Sequence, residues 1–109
     1  MKNATGLVQQ GDVLFFKMTA LPENLKPKKF KDRVVFAEGE VTGHAHVTAL
    51  DEFIDVFEDE NSEMWAVLEK TREVTHEEHG TVTLDPGIYK IGIVREVDPF
   101  ADEIRQVAD

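Results

Sequence analysis

Apolar residues alternate with polar ones, or form short β-branched and aromatic runs, along most of this chain. The pattern predicts strands at residues 12–18, 33–39, 46–58 with a turn near Asp51 and Glu52, 63–70, 72–76, 80–84 and 87–97. These segments follow one another at the short, regular spacing of small β-sandwiches and barrels. Residues 65–74, "WAVLEKTREV", also contain strong helix formers, so a helix is the alternative there.

The C-terminal segment departs from this β-type pattern. Asp98 suits the cap of a helix and Pro99 suits its first turn. Apolar residues then recur at helical spacings of four and three, at Phe100, Ile104 and Val107. The sequence therefore predicts a mainly β protein, a β-barrel or β-sandwich with a short C-terminal helix.

Length and composition are those of one ordinary globular domain. The chain has 109 residues, of which 41% are hydrophobic and 31% charged, and it has no linker-like tract, so we expect a single β-rich domain over residues 1–109. No apolar run reaches the length of a membrane span, and the N-terminus lacks the apolar core of a signal peptide. We therefore expect a cytoplasmic protein without a membrane partner.

Charge argues against a nucleic-acid partner. Twelve basic and 22 acidic residues give a net charge of -10, which repels phosphate backbones. One segment, "KPKKFKDR", concentrates positive charge at Lys26, Lys28, Lys29, Lys31 and Arg33. Prolines 22 and 27 bracket its start, so we interpret it as a solvated loop, with an anion contact as the alternative.

The most informative feature is the placement of the histidines. All four lie in two short phrases, "GHAH" with His44 and His46, and "HEEH" with His76 and His79. Side chains at i and i+2 of a strand point the same way, roughly 6 to 7 Å apart at the backbone, so both rings of the first phrase can reach one ion. If the two phrases lie on adjacent strands, three or four imidazoles form a cluster.

A metal held there must have nitrogen and oxygen ligands, because the chain has no cysteine. Such a cluster suits a divalent transition metal: Zn, Fe, Mn or Ni. Acidic residues near the phrases are candidate ligands or hydrogen-bond acceptors for the rings: Glu38, Glu40, Glu77 and Glu78. We regard Glu38 and Glu77 as the candidate bases, and an open coordination position would allow hydrolytic or oxidative chemistry.

Whether the protein is an enzyme stays open at this stage. Ser62, the only serine, lies in an acidic turn and not in a nucleophile elbow, and no glycine-rich phosphate loop occurs. One alternative is a binding or assembly module, including a homo-oligomer formed through strand edges, in which the histidines brace a loop. A second alternative is a metal-free phosphodiesterase that uses histidines as acid and base.

The histidine phrases partly resemble the motifs of two enzyme families. Gly39, His44 and His46, followed by Glu52, resemble the start of a cupin motif, which implies a β-barrel metal site. The "DPG" at 85–87 is similar to the turn of the second cupin motif, although here the other histidines precede that turn. The pair "HVT" (46–48) and "HGT" (79–81) resembles the twin histidine motifs of the 2H phosphoesterases, which implies acid–base catalysis on a cyclic phosphate.

A third resemblance covers nearly the whole chain. The succession "QQGDVLFFK", "VVFAEGEVTGHAHV", "VTHEEHGTVTLDPGIYKI" and "REVDP" is similar to an uncharacterised family of small bacterial and bacteriophage proteins. Here Asp85 replaces a proline of the usual turn, and Val97 replaces a common aromatic residue. This resemblance implies a partner in a phage or host assembly, and a virion location if the protein is structural, but it implies no reaction.

Overall fold

The computed structural model of the protein describes residues 4–39 and 43–94. These residues form ten strands and no helix: β1 Ala4–Gln10, β2 Val13–Met18, β3 Lys26–Pro27, β4 Arg33–Glu38, β5 Ala45–Ala49, β6 Ile54–Glu58, β7 Met64–Leu68, β8 Arg72–Val74, β9 Val82–Leu84 and β10 Gly87–Ile93. Within this part of the chain, no helix is long and apolar enough to cross a membrane.

Six of the strands form one antiparallel sheet in the order β1-β2-β10-β7-β6-β3. The other four form two hairpins, β4–β5 and β8–β9. A pair of backbone hydrogen bonds between Val47 and Thr75, 3.0 and 2.9 Å long, joins β5 to the end of β8. The two hairpins therefore lie side by side, which places both histidine phrases at one edge.

The core lies between the large sheet and the β4–β5 hairpin. Phe15 of β2 meets Phe36 of β4 edge to face, with ring centroids 5.1 Å apart. Buried residues of these two layers and of the β8–β9 hairpin form a cluster with this pair: Val13, Val34, Ile54, Val56, Ala66, Leu68, Val74, Leu84, Tyr89 and Ile91. Val13 and Phe15 of β2, and Val34 and Phe36 of β4, are buried at alternate positions, as expected of strands that cover a core with one face.

Arg72 fastens β8 to the end of β5. Its side chain is largely buried, and its Nε donates a 3.0 Å hydrogen bond to Thr48 Oγ1. Its Nη2 donates to Ala49 O and also pairs with Asp51 Oδ2 at 3.1 Å. The hydrogen bonds from Arg72 are the main cause that lowers the pKa of Asp51. Thr48 completes the link by donating to Glu73 O at 2.8 Å.

The mainly β prediction is confirmed, but the prediction of a β-barrel is wrong for the described residues, whose sheets do not close. The large sheet ends at β3, which pairs with β6 over only Lys26 and Pro27. Proline has no N–H to donate to a further strand, and so short an edge offers little to pair with. The predicted C-terminal helix, with Asp98, lies outside the described residues.

Most strand predictions agree with the structure to within a few residues. The helical alternative at 65–74 is wrong, because β7 and β8 occupy that segment. Two strands have no predicted counterpart: β1, whose polar sequence "ATGLVQQ" has no clear alternation, and β3, which lies in the basic segment. In that segment Lys28 forms an ion pair with Glu58 at 3.2 Å, which offsets part of the positive charge.

Truncating the centre of the core should destabilise the protein strongly. Phe15 is fully buried, so we expect Phe15→Ala to lower the free energy of unfolding by about 3 to 5 kcal/mol. Leu7 on the edge strand β1 is 56% exposed, so Leu7→Ala should change it by only about 0.5 kcal/mol. Urea unfolding of both variants measures the difference, and equal losses would contradict this description of the core.

Candidate functional site

The four histidines converge at the joined ends of β5 and β8. His44 lies just before β5, and His46 is the second residue of β5. His76 and His79 lie in the loop that follows β8. The ring of His76 is central, since its centroid lies 4.2 Å from that of His46, 4.6 Å from that of His79 and 5.6 Å from that of His44. The structure thus brings the two histidine phrases together.

Gln10, the last residue of β1, holds the ring of His46. Both side chains are almost fully buried, at 2% and 3% exposure. Gln10 Nε2 donates to two backbone carbonyls, Val74 O at 2.9 Å and Gly80 O at 3.0 Å. Since carbonyls only accept, this end of the amide is its NH2 group, and Oε1 faces His46 Nδ1 at 2.8 Å. His46 therefore carries a proton on Nδ1.

The other nitrogen of His46 faces a carboxylate from the turn between β1 and β2. His46 Nε2 lies 3.3 Å from Asp12 Oδ1, and the Asp12 side chain is exposed. Burial lowers the pKa of His46, and the neighbouring His76 lowers this pKa further, while Asp12 acts in the opposite direction. A neutral His46 with Nδ1 protonated presents the lone pair of Nε2 towards Asp12.

Two glutamates of the loop hold it against the start of β5. Glu77 Oε1 accepts a 2.9 Å hydrogen bond from the backbone N–H of Ala45, which is the main cause that lowers the pKa of Glu77. Glu78 Oε1 lies 3.1 Å from His44 Nδ1. One potential ligand atom from each of His44, His76 and Glu77 lies within 4.8 Å of the other two, which is a spacing that one ion could bridge.

His76 shapes its own loop. Its Nδ1 accepts the backbone N–H of Glu78 at 3.0 Å and that of His79 at 3.3 Å. A neutral His76 must then carry its proton on Nε2, because Nδ1 is the acceptor. His46 and His76, whose rings lie against each other, are therefore protonated on opposite nitrogens.

The ring of His79 lies directly over Gly11 in the turn between β1 and β2. Gly11 has a φ of 57°, in the left-handed region that glycine adopts most readily. A Cβ atom at this position would lie 2.5 Å from His79 Nε2. Gly11 therefore has two reasons to be glycine, its backbone conformation and the space that the ring occupies.

The candidate acids are not all brought to the cluster. Glu77 and Glu78 lie in it, and their roles as base or ligand stay predictions. Glu38 pairs with Ala45 on the neighbouring strand, one position out of step with His46, so its side chain points to the other face. Among the described residues, no contact of the Glu38 side chain with a histidine supports its predicted role as a base. Glu40 lies outside those residues.

Sequence reasoning missed Gln10, Gly11 and Asp12. All three lie in the phrase "QQGDV", where a glycine and an aspartate join two strands in the two-residue turn typical of hairpins. A polar residue at the end of an edge strand gives no periodic signal that it is buried. The phrase itself could have pointed to them, because it belongs to the resemblance noted above and stands apart from the histidine phrases.

The chain matches the model of a protein family. The model of a family described as a domain of unknown function, DUF8820, matches residues 9–94. This range includes all four histidines, Asp12 and Gln10. No curated protein matches the chain. No solved structure matches it either.

Gly11→Ala should disturb both the fold and the cluster. The positive φ alone makes an alanine costly there by about 1 to 2 kcal/mol, and the clash with His79 adds to this. Gly80 is a matched control, because a Cβ there meets no atom within 4 Å. We expect thermal unfolding to show a clear loss for Gly11→Ala and a much smaller change for Gly80→Ala; the reverse order would contradict the packing of His79 on Gly11.

Acid should destabilise the fold through His46. Its pKa is lowered in the folded protein, so between that value and the ordinary value of about 6.5 the unfolded chain binds more protons. The contribution of neutral His46 to the free energy of unfolding is fully present above about pH 6.5. It is lost as the pH falls through the pKa that His46 has in the folded protein. NMR titration of the His46 ring should give a midpoint below about 6.5, whereas a midpoint above it would contradict the effect of burial.

Proposed function

This chain belongs to the DUF8820 family, and from that starting point we propose that it is a metal-binding protein whose histidine cluster holds one divalent transition metal ion. The family has no assigned activity, so the proposal rests on the residues themselves. The ligands come from His44, His46, His76 and His79, with a carboxylate from the same loop. Because these donors are nitrogen and oxygen, the ion is Zn, Fe, Mn or Ni.

The observation that carries the proposal is the convergence of every histidine in the chain. Two imidazoles that bind one ion at about 2.1 Å have ring centres roughly 5 Å apart. The four rings lie between 4.2 and 6.0 Å from one another in the pairs that meet. A single cation can satisfy lone pairs of several of these rings at once.

The partner of His44 fits this chemistry. Glu78 faces Nδ1 of His44 at 3.1 Å, which is the arrangement in which a carboxylate orients a histidine and increases its basicity as a ligand. In that tautomer the lone pair of His44 is on Nε2. Glu77, whose pKa is lowered, is an anion at neutral pH, and one of its oxygens lies within 4.8 Å of ligand atoms of His44 and His76.

His76 requires a rearrangement before it can bind an ion. Its Nδ1 lone pair accepts two backbone N–H groups, so the ring can bind through Nδ1 only if residues 77–79 turn away. Metal binding and a change in this loop are therefore expected to occur together. An ion with an open coordination position would support hydrolytic or oxidative chemistry, with Glu77 better placed than Glu38 to act as the base.

The metal-free phosphodiesterase is the weaker candidate. It needs the threonine of "HVT" beside its histidine in the site, but Thr48 Oγ1 donates to Glu73 O and accepts from Arg72. That hydroxyl holds β5 to β8 and is not available to a phosphate. The assembly module stays the alternative if no ion is bound.

Metal analysis tests the proposal. Untagged protein, purified without chelators and incubated with zinc, manganese or ferrous iron under anaerobic conditions, should retain about one ion per chain after gel filtration. The double variant His44→Ala/His79→Ala should lose it. This pair leaves the buried His46 in place and so is expected to fold.

The control is Asp55→Asn, a change of one exposed carboxylate on β6, outside the cluster. It should bind as the parent does. Circular dichroism and thermal unfolding establish that each variant is folded. A folded parent that retains no ion under any of these conditions, or a cluster variant that retains as much as the parent, would refute the metal proposal.

A further inference from the structure

We infer that the turn between β1 and β2 supplies the metal site with a ligand and a positioning residue: Asp12 binds the ion together with His46 Nε2, and Gln10 fixes the tautomer of His46 that makes this binding possible. The inference rests on the proposed metal function. It extends that function to a segment that contains no histidine.

The orientation of the Gln10 amide makes His46 Nδ1 the donor of the hydrogen bond between these two side chains. Val74 O and Gly80 O occupy both protons of its NH2 group, so its oxygen can only accept from His46 Nδ1. Reversing the amide would bring its oxygen against two carbonyls. The buried environment enforces this pattern, because an unmade hydrogen bond there costs about 1 to 3 kcal/mol.

A tautomer with Nδ1 protonated makes Nε2 of His46 a ligand atom. This nitrogen lies 3.3 Å from Asp12 Oδ1. Two atoms bound to the same ion at about 2.1 Å lie about 3.0 to 3.4 Å apart, for octahedral to tetrahedral angles. At this distance Asp12 Oδ1 can accept a proton carried by Nε2, and a cation bound by both atoms can take the place of that proton.

Asp12 is also suited to the role by its surroundings. Its side chain is 61% exposed, so an ion can reach it from solvent, whereas the ring of His46 is held rigidly from behind. The ring of His79 packs against Gly11, the residue next to Asp12. The turn thus brings a carboxylate to the cluster while it supports a second imidazole.

The first measurement reads the tautomer directly. In metal-free protein labelled with 15N-histidine, long-range 1H–15N spectra at mildly alkaline pH should show His46 protonated on Nδ1. Gln10→Met removes the acceptor and should shift the ring towards the Nε2-protonated form. Gln10→Glu restores an acceptor for Nδ1–H without restoring the two amide protons, so it should return the parent tautomer, while its second oxygen, which meets the carbonyls of Val74 and Gly80, lowers the stability of the fold. Comparing Gln10→Met with Gln10→Glu separates the effect of Gln10 on the His46 ring from the effect of its hydrogen bonds to the two carbonyls.

The second measurement is zinc affinity, by competition with a chromophoric chelator. Gln10→Met should weaken binding about 10- to 100-fold, with most of the loss recovered in Gln10→Glu. Asp12→Asn, which keeps the shape and removes the charge, should weaken binding by on the order of tenfold or more. Asp55→Asn, the matched surface control, should stay within about twofold.

The outcomes distinguish this inference from the proposed function. If the folded parent binds no zinc, both are refuted. If the parent binds zinc and Asp12→Asn binds equally well, only the ligand role of Asp12 is refuted. If His46 is protonated on Nε2 in the parent, or if Gln10→Glu behaves like Gln10→Met, the positioning role of Gln10 is refuted.

Discussion

The arrangement of this protein depends on one buried amide. Gln10 joins three parts of the chain through hydrogen bonds of 2.8 to 3.0 Å: its own hairpin, the carbonyls on either side of the "HEEH" loop, and the ring of His46 on β5. A leucine there would fill the space but leave two carbonyls and an imidazole without partners. Within the described residues every buried side-chain nitrogen or oxygen has a hydrogen-bond partner, and Gln10 accounts for much of that at the cluster.

The histidine rings come from two kinds of segment. His46 lies on β5 and is held by Gln10. His76 and His79 lie in the loop after β8, which is held by contacts with its own backbone, with the start of β5 and with Gln10. Arg72 contributes from a distance, because it fixes the end of β5 against β8.

How far the sequence predicts this structure depends on the kind of signal. Alternating apolar residues identified β2, β4 and β10, and the confinement of all histidines to two phrases located the cluster, because both are local patterns. The polar strand β1 and the roles of Gln10 and Asp12 could not be derived in this way. Their importance comes from contacts across 34 to 70 positions of the chain, and periodicity contains no information about such contacts. Closeness in sequence does not settle the position of Glu38 either, because the register pairs it with Ala45, one position out of step with His46.

The bridge between β5 and β8 and the bonds of Gln10 give the cluster a further property. Its atoms come from three segments about one third of the chain apart, residues 10–12, 44–46 and 76–80, and each segment belongs to a different hairpin. No single hairpin contains more than two of the four histidines, so the complete cluster exists only after all three have docked. Any ligand that binds it is consequently coupled to the cooperative folding of the whole domain and not to the order of one loop. Occupancy of the cluster would then report that a chain is completely folded.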